Sequence, residues 1–274
     1  MAIEPVGVLN APEVDLFLAH RPYENVYLLW LVRSGATAYR GRTLCFLSRD
    51  PDGAVDGVCY FGAQFILATE SDSALRDFAE LARVMPPARM IVGPRESIQR
   101  WWERMQSWHR APRAVRPHQP VCAVTRATLR GSRDDAGVAR ASAAEIDEIA
   151  RESAAMIEHE TGIDPNAASR EFRERTAQTI RAGWWWRWRV EGSLRFQCSI
   201  GAQIDVTAQL QGVWTPPAQR GKGYATRALG ATCDYLLDEL PSLCLYVNDF
   251  NTPAIALYER LGFETVGAFM TLLF

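Results

Sequence analysis

The sequence predicts an α/β (α+β) protein made of two units on one plan. Three observations lead there. The chain has 274 residues, which is about two domains' worth. A segment with three prolines and little apolar content, Ala111 to Pro120, reads as a linker near the middle. Each side of it then gives the same order of elements: two helices, strands, a helix, a strand and a helix. Residues 1–115 and 120–274 are therefore expected as separate domains, each a mixed central sheet flanked by helices.

In the first half, Glu13–Ala19 and Glu24–Arg33 read as helices ahead of a strand at Thr43–Ser48. Asp50-Pro51-Asp52-Gly53 is a turn signal. The apolar run Val58–Ala68 reads as strand-like, followed by a helix at Ser73–Val84, a strand at Arg89–Gly93 and a helix at Arg95–Trp108. Trp101, Trp102 and Trp108 fall to the N-terminal core or an inter-domain contact.

The second half opens with a strand at Val121–Leu129. Ser142-Ala-Ala-Glu145 is a capping box, and Ile146, Ile149, Ala150, Ser153, Met156 and Ile157 recur at helical spacing after it. A second helix is expected over Asn166–Arg181, stopped by Gly183. Trp184–Val190 and Leu194–Ile200 form a hairpin around Glu191-Gly192. A long strand at Ile204–Thr215 is stopped by Pro216-Pro217. A helix (Tyr224–Glu239), a strand (Leu243–Val247), a helix (Thr252–Leu261) and a strand (Phe263–Leu273) complete the chain.

Composition narrows the function. Hydrophobic residues make up 48% and charged residues 23%, which excludes long disorder and fibrous repeats. With 30 Lys and Arg against 32 Asp and Glu, neither nucleic acid nor an anionic membrane is the expected partner. Lys222 is the only lysine. Six scattered cysteines without C-x-x-C spacing suit buried thiols in a reducing cytosol better than disulfides or a metal site. No signal peptide or membrane-spanning run is seen, so a soluble cytoplasmic protein is expected.

The stretch from Gln211 to Thr226 carries the chemistry. A strand ends, Gly221 and Gly223 follow, and a helix begins. Glycines permit the tight turn. The helix start offers unpaired N–H groups and the positive end of its dipole. Together they make an anion site suited to a diphosphate, with Arg220 and Lys222 adding charge. About 30 residues on, Asn251 precedes a helix carrying Tyr258 and ending at Gly262-Phe263.

At these residues the sequence resembles the GCN5-related N-acetyltransferase (GNAT) superfamily. Arg220-x-x-Gly223-x-Ala225 is similar to its pyrophosphate motif, and Asn251-x-x-Ala254-x-x-x-Tyr258-x-x-x-Gly262-Phe263 to its second signature. The resemblance covers Val121 to Phe274. GVWTPPAQRGKG and LYVNDFN extend it to a bacterial group with a second, degenerate GNAT-like domain at the N-terminus.

The resemblance implies two GNAT-like domains, with acetyl-CoA as co-substrate and no metal. The C-terminal one would hold it where parallel strands Gln211–Thr215 and Leu243–Val247 splay apart. Val213, Trp214 and Thr215 would face the pantetheine arm. Arg220, Gly221, Lys222, Gly223, Tyr224, Ala225 and Thr226 would hold the diphosphate. Asn251 would contact the arm, and Tyr258 would protonate the leaving thiolate. Backbone N–H near Val213 would stabilise the oxyanion. A core tyrosine is the simpler alternative for Tyr258.

The base is less defined. No acidic residue lies between Val206 and Gln219. Asp205, Glu158 and Glu160 are the candidates, with Glu160 favoured as base or acceptor ligand; a water chain would also serve, and His159 reads as a surface residue. Along the Trp184–Val190 strand, Trp184, Trp186 and Trp188 fall on a core face, and Trp185, Arg187 and Arg189 on the other, where lining an acceptor site through stacking is the open alternative. In the first half, Ala68-Thr-Glu70-Ser-Asp72-Ser-Ala74 replaces the glycine loop; its acids would repel a diphosphate. That half is expected to lack a CoA site and to shape an acceptor cleft or a dimer. The expected activity is N-acetyl transfer to a primary amine, on a small molecule or protein, by a monomer or homodimer. The alternative is a CoA-binding sensor or interaction module.

Overall fold

The computed structural model of the chain describes residues 3–62, 64–166 and 169–274. It divides into two compact units. The first comprises Met1–Cys122, Tyr246–Thr252 and Thr265–Phe274, and the second Ala123–Leu245 and Pro253–Glu264.

The first unit opens with β1 (Glu4–Pro5), α1 (Ala11–Ala19) and α2 (Pro22–Arg33). A short ribbon, β2 (Ala38–Tyr39) and β3 (Arg42–Thr43), leads to β4 (Cys45–Arg49). Then come β5 (Val55–Phe61), β6 (Phe65–Thr69), α3 (Asp72–Ala82), β7 (Met90–Pro94), α4 (Arg95–Met105) and β8 (Ala114–Thr125). Prolines sit in the first turns of both α1 and α2, where no intrahelical N–H is needed. The Asp50 carboxylate accepts the N–H groups of Asp52 and Ala54, which makes the expected turn.

One reading is refined in this half and one fails. The apolar run around Gly62 is a hairpin of β5 and β6, paired from Gly57↔Thr69 to Phe61↔Phe65. The apolar run continues on both sides of the turn, so Gly62 was the main mark of the break. The proline-rich linker is likewise a strand: β8 runs through Pro117 and Pro120. Proline lacks the donor but keeps its acceptor, and the Pro120 carbonyl accepts from the Val247 N–H at 3.1 Å.

The second unit contains β9 (Val138–Arg140), α5 (Ile146–Thr161), α6 (Arg170–Arg181), β10 (Trp185–Val190), β11 (Ser193–Gln203) and β12 (Thr207–Trp214). After these come α7 (Tyr224–Leu236), β13 (Ser242–Tyr246) and α8 (Thr252–Arg260). The last strand, β14 (Glu264–Leu273), pairs antiparallel with β7, from Phe269↔Pro94 to Leu273↔Met90. Met270 and Leu272 are buried with Phe65, Phe78, Ile91 and Trp101 in the first unit's core. β14 therefore completes the unit to which β1–β7 belong. The expected start of α6 near Asn166 runs into residues 167–168, outside the described residues; α6 begins after Ser169, whose hydroxyl caps Phe172.

Strand pairing is mixed within each unit. The first unit's strand order is β1-β4-β5-β6-β7-β14-β8, and the second's is β13-β12-β11-β10-β9. Pairing is parallel in β6–β7 and in β12–β13. All six cysteines are buried thiols. Among the described residues no helix is long and apolar enough to cross a membrane.

Charged side chains fasten α7 within its unit. The Asp234 carboxylate accepts from the guanidinium and N–H of Arg133, and from Arg126. Hydrogen bonding by Arg133 above all holds the Asp234 carboxyl far below the usual carboxylate range, against the opposing effect of burial. As pH falls, the unfolded chain takes up this proton before the folded one does. The contribution is full above the unfolded carboxylate value of about 4 and fades below it. Urea midpoints of the wild type are expected to drop between pH 5 and pH 3, roughly the window of this linkage, by more than those of Asp234→Asn. Parallel pH curves for the two proteins would refute this.

Candidate functional site

The parallel pairing of β12 with β13 covers Thr207↔Ser242, Ala208↔Leu243 and Gln209↔Cys244. β12 then continues to Trp214 on the arm of β11, ending at Gln197↔Trp214. The strands thus part beyond Gln209, as the sequence reading expects. A bulge accompanies the parting: Ser199 faces Gln211 and Gln197 faces Trp214, so Gly212 and Val213 oppose Cys198 alone. Gly212 has φ +64°, the left-handed geometry that such a bulge assigns to glycine. The extra residue takes backbone polar groups out of the ladder at this point.

Beyond Trp214 the chain turns through Pro217–Gln219 to Arg220. Gly221 and Gly223 have φ +75° and +77°. No atom lies within 4 Å of a Cβ built on either, so conformation, not crowding, demands glycine here. Gly223 is the N-cap of α7 and offers no side-chain cap. The first-turn N–H groups, around Tyr224, Ala225 and Thr226, have no carbonyl upstream to bond. Arg220 and Lys222 are both turned onto the loop itself. The Arg220 guanidinium lies 4.6 Å from the Trp214 ring centre and its Nε donates to the Thr215 carbonyl at 3.2 Å. The Lys222 ammonium donates to the Ala218 carbonyl at 3.0 Å. Both fix the loop's shape while leaving positive charge beside it. The Thr215 hydroxyl is buried and has no hydrogen-bond partner among the described residues. An uncapped helix start and an orphaned hydroxyl at the end of a parted strand suit a ligand that brings both an anion and polar groups.

α5 covers the parted end of β12. Glu152 accepts from the Trp214 indole at 3.0 Å, and the His159 ring stands edge-on to Trp214 at 5.8 Å. Ser153 accepts from the Gln197 amide at 3.0 Å, leaving the Gln197 Oε1 buried without a partner. Burial pushes the Cys198 and Cys244 thiols, at the bulge and at the last parallel pair, up to about 12. Neither is a thiolate at neutral pH.

Two family models match the chain. Residues 45–149 match a domain of unknown function (DUF4081), and residues 182–263 match the acetyltransferase (GNAT) family. Residues 182–263 are a GNAT-family domain. Comparison with curated proteins returns no match.

Solved GNAT structures resemble the whole chain. A GNAT-family acetyltransferase from Colwellia psychrerythraea is 10% identical, with 100% of each chain covered and a TM-score of 0.61. A GCN5-related N-acetyltransferase from Sphaerobacter thermophilus is 14% identical, covering 98% of this chain and 94% of that one, at 0.62. A tandem GNAT protein from the clavulanic acid biosynthesis pathway is 14% identical, covering 99% and 98%, at 0.59. At such identities the likeness is one of fold.

Within the GNAT domain, Tyr258 is 7% exposed on α8, its ring tilted against Phe263 at 5.6 Å. The N–H of Asn251, just ahead of α8, donates to the Asn248 carbonyl at 2.9 Å. Asp205 is exposed in the turn before β12, at the far end of the strand from Trp214. Helix α5 runs one turn further than the spacing suggests, to Thr161, and ends on Gly162 at φ +69°. Glu158 and Glu160 are therefore helical and exposed. At about 100° per residue, Glu160 falls on the face of Ser153 and Met156, and Glu158 on the opposite side.

The tryptophan strand needs a correction. Trp185 is buried with Ile149 and Ile180, and its indole donates to the Thr179 hydroxyl at 2.6 Å. Arg187 is bound to Glu145 at 2.6 Å. Helices α5 and α6 cover this face too, yet the edge of the Trp185 ring reaches the bulge, 3.8 Å from a Cβ built on Gly212. Glu152, Ser153 and Gln197 were missed. A glutamine inside the apolar strand LRFQCSI was the one available signal, because a buried amide needs a stated partner.

Among the described residues, no group of three or more His, Cys, Asp or Glu is placed to hold a metal.

Proposed function

We propose that the GNAT domain transfers an acetyl group from acetyl-CoA to a primary amine, with both substrates bound together. The junction of the Gly221–Gly223 loop with the uncapped start of α7, next to the parting of β12 and β13, carries this reading. Acetyl-CoA would supply an activated acetyl thioester. The loop from Arg220 to Thr226 would hold its diphosphate through backbone N–H groups. Val213, Trp214 and Thr215 would hold the pantetheine arm, with Asn251 as a further contact. A backbone N–H at the Gly212–Val213 bulge would stabilise negative charge on the thioester oxygen. Tyr258 would give a proton to the departing thiolate, and Glu160 would take one from the attacking ammonium. The buried, un-ionised thiols favour direct attack over a cysteine-bound acetyl group. The acceptor is an amine on a small molecule or a protein.

Release of the CoA thiol from acetyl-CoA, with a panel of amines, tests this. Amine-dependent release is the expected result. Acetyl-CoA binding without turnover on any amine would favour a CoA-binding sensor instead. Failure to bind acetyl-CoA would refute both.

A further inference from the structure

The first unit holds a cavity of about 420 Å³ at the C-terminal ends of its own parallel pair, β6 and β7. Its chemistry differs from that of the GNAT domain's parted strands. The Thr69 carbonyl, at the end of β6, already accepts from the Ser97 hydroxyl of α4. Helix α3 is capped by its own Ser71 side chain. Glu70 is paired with Arg21, and Asp72 with Arg100 and Arg104. The strand end is therefore occupied by Ser97, the helix start is capped by a side chain, and the arginines nearest to them are paired with carboxylates.

Asp56 stands apart in this cavity. Its carboxylate is half-buried, and its partners are hydroxyls: Ser48 at 2.5 Å and Ser73 at 3.5 Å. Among the described residues, no cation is paired with it. A carboxylate held away from bulk water without a counter-charge is costly unless a ligand supplies one. Asn25 is buried at the same cavity, and its amide nitrogen is spent on the Leu18 carbonyl at 2.9 Å. The amide oxygen is left as a second acceptor. Phe17, Val55, Ala68 and Pro94 supply apolar wall.

We infer that this cavity binds a small primary ammonium compound with an apolar body, its cationic group on Asp56. Two acceptors beside an apolar wall define that class, and an anionic ligand would meet the Asp56 carboxylate; Arg21 and Glu70, which also line the cavity, are paired with each other. The inference does not depend on catalysis by the GNAT domain.

Calorimetry with phenethylamine, 3-phenylpropionate and acetyl-CoA tests it, alongside hydrogen exchange to locate binding. Phenethylamine is expected to bind and to slow exchange at His20–Asn25 and Ala68–Ser71. 3-Phenylpropionate, with the same ring and the opposite charge, is not expected to bind there. Asp56→Asn should weaken phenethylamine by about tenfold or more, since charge-assisted hydrogen bonds are lost. Val55→Trp, which fills the cavity while keeping the carboxylate, should abolish binding and decides the matter if Asp56→Asn does not fold. Equal binding of the acid, undiminished affinity in folded Asp56→Asn or in Val55→Trp, or protection confined to α5 would overturn the inference.

Discussion

Gly262→Ala is expected to destabilise the second unit by about 3 kcal/mol or more, a cost with two independent sources. Gly262 has φ +88°, and a Cβ there would stand 1.9 Å from the Thr128 carbonyl oxygen. It also closes α8 in a Schellman motif. The Phe263 N–H donates to the Tyr258 carbonyl at 3.0 Å, and the Gly262 N–H to the Glu259 carbonyl at 3.0 Å. The apolar contact that accompanies this motif is made by Phe263 and Tyr258 themselves. Gly221→Ala serves as the comparison: its φ is +75° but its surroundings are open, so only the left-handed conformation is penalised, at about 1–2 kcal/mol. Urea denaturation of both variants separates the two effects. Equal losses would mean that the approach of Thr128 is not a constraint.

Tyr258→Phe is expected to lower kcat by roughly a hundredfold to ten-thousandfold at neutral pH, the range for losing a positioned proton donor. The ring and its contact with Phe263 remain, so the α8 stop should persist and the KM for acetyl-CoA should change little. A variant that turns over at the wild-type rate would reduce Tyr258 to a core residue. A variant whose kcat and stability collapse together would point the same way. Only loss of turnover in a protein that still melts as a unit supports the proton donor.

What the sequence revealed about the fold was mainly local. The Ser142–Glu145 capping box is present, with the Ser142 N–H donating to Glu145 at 2.8 Å. Glu191 and Gly192 take positive φ, as a two-residue hairpin requires. The loop glycines and the α7 start could be read because each depends on its own residues. Features set by distant partners could not. Whether Trp185 faces water or core depends on α5 and α6 covering it. Whether Pro117 and Pro120 interrupt a strand depends on which N–H groups the neighbours need. The role of Glu152 depends on a tryptophan 62 positions later.

The pairing of β14 with β7 also bears on how the molecule is made. A ribosome releases the N-terminal segment first, and domains ordinarily fold as they emerge. Here the first unit lacks Met270 and Leu272 until β14 has been translated. Its sheet must wait with the flank of β7 uncovered while some 170 further residues are translated, a span that takes roughly ten to thirty seconds at bacterial-like elongation rates. Birth order and folding order are thus decoupled, and a nascent chain stalled anywhere before residue 270 would be a natural client for holding chaperones.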